Sequence, residues 1–142
     1  MSFTKDPECI FCKIANGEIP TNTVFEDDDF RVILDLNPAT KGHALVLPKY
    51  HFRNIYDMDE EFTGKAFKTA KKIALAMKDG LGCEGVNIIQ NNEEIAGQSV
   101  FHFHIHVIPR YTGDGQKVLW KPGKSDPEKQ AAIAETINKS IE

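Results

Sequence analysis

The run Phe101-His-Phe-His-Ile-His-Val-Ile-Pro109 holds histidines 102, 104 and 106 at every second position, three of only five in the chain. Imidazole is well suited, near neutral pH, to proton transfer, nucleophilic attack or metal ligation. On an extended strand alternate side chains share a face. His102, His104 and His106 would then form a row, with Phe101, Phe103, Ile105 and Val107 packed on the other side. Same-face neighbours stand roughly 6.5–7 Å apart, so two rings can share a metal but three converge poorly. The alternative is three half-exposed strand histidines with no task, although histidine is not a favoured strand residue.

Two further groups carry chemistry. Cys9-Ile-Phe-Cys12 offers two thiolates from one turn, the start of a tetrahedral zinc site that needs two more ligands. His43, His51 and the triad are the available partners. Two buried cysteines in an apolar turn are the simpler alternative, and a redox role lacks the βαβ setting it needs. Cys83 stands alone and reads as a core or surface residue. The polar loop from Asn91 to Ser99 ends in Gly97-Gln98-Ser99, a turn able to aim N–H groups and a hydroxyl at an anion beside the histidines. The acidic run Glu26–Asp29 reads as a solvated turn. Trp120 reads as core or interface, or as part of a substrate pocket.

The elements that must position these groups follow from pattern. A short helical turn is expected from Cys9 to Asn16, stopped by Gly17 and Pro20. Strands are expected at Thr23–Phe25, Phe30–Leu36, His43–Leu47, Val86–Gln90 and about Val100–Ile108. Asp57 to Leu81 carries the one long helical period, with Phe62, Ala66, Phe67, Ala70, Ile73, Ala74 and Met77 on one face. Asp57 or Asp59 would cap it, and Gly80 and Gly82 would end it. Ser125 or Asp126 before Pro127 starts a final helix with Ala134, Ile137 and Ile141 along one side. Short gaps between strands favour antiparallel neighbours, hence an α+β domain.

The 142 residues fit a single domain spanning 1–142, with 1–8 and 112–125 expected to be less ordered. A net charge of −4 gives no general electrostatic reason to bind nucleic acid. No run is apolar enough to cross a membrane and no signal peptide is evident, so a cytoplasmic location is the expectation.

These residues resemble the histidine-triad nucleotide-binding proteins, in their Hint-like bacterial branch. The likeness rests on His102-x-His104-x-His106-Val-Ile, Ile10-Phe11 with Lys13-Ile14, Glu18-Ile-Pro20 and Phe25-Glu-Asp-Asp. It continues through Asp35-x-x-Pro38, Gly42-His43, Pro48-Lys-x-His51, Asn91 and Gly97-Gln-Ser99. The resemblance implies an antiparallel sheet of about five strands with one long helix and a C-terminal helix. It further implies a homodimer whose sheets join. It implies hydrolysis or transfer at the α-phosphorus of purine nucleoside monophosphate conjugates such as phosphoramidates. His104 would be the nucleophile, His106 the phosphate partner, Ser99 a leaving-group or oxygen contact, and His43 a support for the triad. Asp35 would take the ribose hydroxyls and Asn91 would approach the ribose phosphate, with Gly97 and Gln98 binding substrate in the loop beside Ser99. Phe11, Ile14, Ile33 and Leu36 would hold the base. Zinc-containing relatives, and similarly galactose-1-phosphate uridylyltransferases, imply a structural zinc on Cys9, Cys12, His51 and His102, with no catalytic organic cofactor. Competing readings are a dinucleoside polyphosphate hydrolase, which the Cys-x-x-Cys and Gly-Gln-Ser loop disfavour, and a non-catalytic nucleotide- or zinc-binding module.

Overall fold

A computed structural model describes residues 3–142. Five antiparallel strands form one sheet: β1 (Thr23–Glu26), β2 (Phe30–Leu34), β3 (Ala44–Pro48), β4 (Gly85–Ile89) and β5 (Ile105–Arg110). Their spatial order is β1-β2-β3-β5-β4. Three helices accompany them: α1 (Ile10–Ala15), α2 (Glu60–Leu81) and α3 (Pro127–Lys139).

Strand alternation divides the sheet into two faces. Val32, Val46, Ile105 and Val107 meet Phe62, Ala66, Ala70, Ile73 and Met77 of α2 in the main core. Ile33, Leu45 and Leu47 point the other way and pack against Ile14 and Ala15 of α1. Central β3 is therefore buried on both faces along its whole length.

The caps explain the helix bounds. Asp59 accepts the Phe62 N–H at the start of α2, and Gly82 closes it in a left-handed conformation (φ 63°) that favours glycine. Gly80 lies inside the helix and does not end it. Asp57 serves elsewhere, accepting the N–H groups of Arg53 and Asn54. Thr69 takes a buried place on α2, whereas Phe67 is 40% exposed.

The termini differ from expectation. Phe3 packs edge-on against Phe52 and Phe62, and the Thr4 carbonyl accepts the His51 N–H, so residues 3 and 4 are tied to the core. Met1 and Ser2 lie outside the described residues. α3 begins at Pro127 with Asp126 as its cap, as the sequence implies, yet buries no residue. Ile137 of its apolar side and Ile141, just past its end, are 60% and 70% exposed.

The histidine strand requires a larger correction. β5 begins only at Ile105. The Phe103 N–H is given to the Phe52 carbonyl, and the His102 carbonyl accepts a side-chain bond, so neither joins the sheet ladder. Phe103, Ile105 and Val107 still fill the core. Phe101 does not join them: it is 39% exposed, with the Arg53 guanidinium 4.2 Å from its ring centre.

Candidate active site and metal cluster

The α1 face of the sheet carries a cleft of about 670 Å³, lined by Phe11, Ile14, Ile33, Asp35, Leu36, Ser99, His104 and His106 among others. This volume falls in the range of small-ligand sites. Eight candidates chosen from sequence thus converge on one cavity. The sequence reading missed Ile10, Thr21, Asn22, Leu45 and Val100, which also line it. Leu45 stands opposite His106 in the β3–β5 register, a pairing that appears only once the strands are aligned.

Asn91, Gly97 and Gln98 do not line this cleft. The Gln98 amide accepts from the Glu93 N–H and Asn54 Nδ2, and donates to the carbonyls of Arg53 and Val100. The N–H groups of Gly97 and Gln98 are given to the Glu94 and Glu93 carbonyls. The Gln98 amide and these N–H groups thus hold the loop in shape. Asn91 packs under Gly97, where an added Cβ would lie 3.3 Å from its Nδ2. Ser99 remains exposed at the cleft edge.

Hydrogen bonds set the tautomers of the rings. His104 Nδ1 lies 2.7 Å from the His102 carbonyl, which can only accept, so Nδ1 carries the proton and Nε2 keeps its lone pair. The Ala39 N–H donates to His43 Nδ1 at 2.9 Å, which puts the proton of neutral His43 on Nε2. That nitrogen is 2.9 Å from His106 Nδ1 and donates to it, leaving His106 with an Nε2–H donor. His104 and His106 stack edge-on at 5.0 Å between ring centres. Asp35 accepts the Asn37 N–H at 2.8 Å and reaches within 3.6 Å of His43 Nε2.

Burial drives the proton affinities. It pushes the pKa of His106 down to about 4, assisted by the charges of His104 and His43. His104 and His43 are also lowered, mainly by burial and against the pull of Asp35. The rings are neutral at pH 7, the state in which imidazole is a nucleophile.

Behind the cleft lies a second cluster. Donor atoms of Cys9, Cys12, His51 and His102 all lie within 4.8 Å of one another. His102 Nδ1 is 3.4 Å from Cys9 Sγ and 3.5 Å from Cys12 Sγ, and His51 Nδ1 is 3.6 Å from Cys12 Sγ. Ordinary zinc–sulfur and zinc–nitrogen bonds in a tetrahedron give an S···N edge of roughly 3.6 Å. His102 Nε2 donates to the Pro48 carbonyl at 2.9 Å, freeing Nδ1 as a ligand and fixing the ring. Burial lowers the His102 pKa to about 4, which suits ligation, and raises the Cys12 thiol to about 11. A bound cation would reverse the latter by stabilising the thiolate. The donor set therefore fits a tetrahedral metal ion.

A family model for the HIT domain matches residues 16–113, and the chain belongs to this family. It is 38% identical over 140 residues to the adenosine 5'-monophosphoramidase HNT1 of Saccharomyces cerevisiae, covering 98% of this chain and 86% of the relative. The crystal structure of a HIT family member from Bacillus subtilis superimposes with a TM-score of 0.88 at 43% identity, covering 95% of this chain and 98% of that one. A Zn-bound histidine triad family protein from Mycobacterium smegmatis gives a TM-score of 0.75 at 36% identity, covering 93% and 97%.

Proposed function

We propose that the protein hydrolyses nucleoside phosphoramidates, releasing a purine nucleoside monophosphate through a nucleotidyl–His104 intermediate. The observation that carries this reading is the His104 ring, anchored through Nδ1 with its Nε2 lone pair facing a cleft beside the His106 donor. Nε2 attacks the α-phosphorus, the P–N bond to the amine breaks, and the amine leaves with a proton drawn from solvent near Ser99. Water then attacks phosphorus and restores His104. The charge that grows on the phosphate oxygens meets the His106 Nε2–H, a preset donor that costs no reorganisation. Asp35 takes the ribose hydroxyls, while Phe11, Ile14, Ile33 and Leu36 enclose the base. The phosphoramidase name of the yeast relative supports the substrate class.

Cys9, Cys12, His51 and His102 would hold a structural zinc ion, as the Zn-bound relative suggests. When bound, it cross-links α1 to the segment before β5. The chain forms a homodimer through β4, an edge strand that places Ile88 and nearby Leu75 of α2 in solvent at 45% and 54% exposure. Among the described residues no helix is long and apolar enough to cross a membrane; a cytoplasmic setting remains part of this proposal.

The deciding experiment is rapid quenching of a reaction with adenosine phosphoramidate, followed by mass spectrometry. Adenylate on His104 is expected. Turnover that survives His104→Asn would overturn the mechanism. Rapid cleavage of diadenosine polyphosphates with no phosphoramidate turnover would overturn the substrate class.

A further inference from the structure

The segment after β5 closes a ring of hydrogen bonds that begins and ends on that strand. Arg110 shares β5 and one of its faces with His106. Its guanidinium grips Asp114 at 2.8 and 3.0 Å and donates to the Gln116 carbonyl at 2.6 Å. Asp114 in turn accepts the N–H groups of Tyr111 and Gln116. Thr112–Gln116 is thus a braced turn, contrary to the loose segment expected from sequence. The Gln116 side chain donates to the Ala39 carbonyl at 2.9 Å. Tyr111 donates to the neighbouring Lys41 carbonyl at 2.8 Å, so the braced turn holds the 37–42 loop at two points. Ala39 then directs its N–H at His43, and His43 donates to His106.

We propose that Gln116 is a positioning residue for His106, acting through Ala39 and His43 to keep the His106 Nε2–H directed at the bound phosphate. Each neutral ring carries one proton, so the chain of bonds has a direction. If the Ala39 N–H withdraws, His43 Nδ1 is free to take the proton. His43 Nε2 then becomes an acceptor, and His106 must donate from Nδ1. The His106 nitrogen in the cleft is left with a lone pair facing anionic oxygen. A bond lost at the surface so turns a donor into an acceptor at the reacting group.

The test compares wild type with Gln116→Leu, which keeps the bulk and loses the donor, by long-range nitrogen-15 NMR of the histidine rings and by steady-state kinetics. Wild-type His43 and His106 are expected as single Nε2–H tautomers. In Gln116→Leu, His106 is expected as a mixture, with kcat about 10-fold lower and KM little changed. Gln116→Lys, which restores a donor, is expected to recover part of kcat. An unchanged His106 tautomer in Gln116→Leu, or an unchanged kcat, overturns the inference. If Gln116→Leu does not fold, Asp114→Asn loosens the same brace and carries the same expectations. The kinetic half rests on the phosphoramidase reading. A wild-type protein without phosphoramidase activity would defeat that reading, while the tautomer measurement would still decide this one.

Discussion

Two sets of histidines sit side by side, and opposite nitrogens are free in each. His102 gives its Nε2 proton to the Pro48 carbonyl and turns Nδ1 toward two thiols in a closed cluster. His104 gives its Nδ1 proton to the His102 carbonyl and turns Nε2 toward an open cleft. His102 is wholly buried and His104 nearly so, and both have lowered pKa values because of burial. Burial therefore does not distinguish the ring in the cysteine cluster from the ring in the cleft. The carbonyl that captures one ring nitrogen, and the space around the other, make the difference.

The sharpest way to break the contrast is to remove the free nitrogen on the cleft side. His104→Asn is expected to lower phosphoramidate kcat by about 10³-fold or more while leaving AMP affinity, measured calorimetrically, near wild type. On the cluster side, Cys12→Ala is expected to lower unfolding free energy by several kcal/mol, because the metal-binding free energy is folding free energy. Urea denaturation with and without chelator checks this, and equal stability in both would remove the metal from the cluster.

A pH series sharpens the cleft side alone. His106 is neutral in the fold down to about 4, whereas in the unfolded chain it takes up a proton near 6.5. Its contribution to stability is complete above about pH 6.5 and is lost progressively as pH falls toward 4, since only the unfolded state binds the proton in that window. His106→Gln should flatten this part of the profile, and an unaltered slope would show that burial does not control the ring. The smallest effect is expected at the cleft rim. Leu36→Ala, at a side chain that is 85% exposed, should raise KM about two- to three-fold without altering kcat.

Much of the scaffold was legible because it obeys local rules. The Asp59 and Gly82 caps, the acidic turn between β1 and β2, and Pro127 at the start of α3 all follow from residue type at a chain position. The start of β5 was not legible, because the Phe103 N–H and the His102 carbonyl are recruited by Phe52 and by the His104 ring. Alternation of side chains looks the same with or without a paired backbone. Gln98 shows a similar ambiguity: a polar loop residue can face a ligand or saturate its own loop, and only its partners decide. The selection of His51 and His102 as cluster members rested on family resemblance, since nothing in a separation of that length specifies contact.

His102 gives its ring to one site and its carbonyl to the other. The carbonyl belongs to the main chain, so any residue at 102 supplies it; what histidine alone adds there is the ring that meets Cys9 and Cys12. The acceptor that aims His104 is thus indifferent to the side chain at 102, and the sequence can alter the neighbouring cluster without removing it.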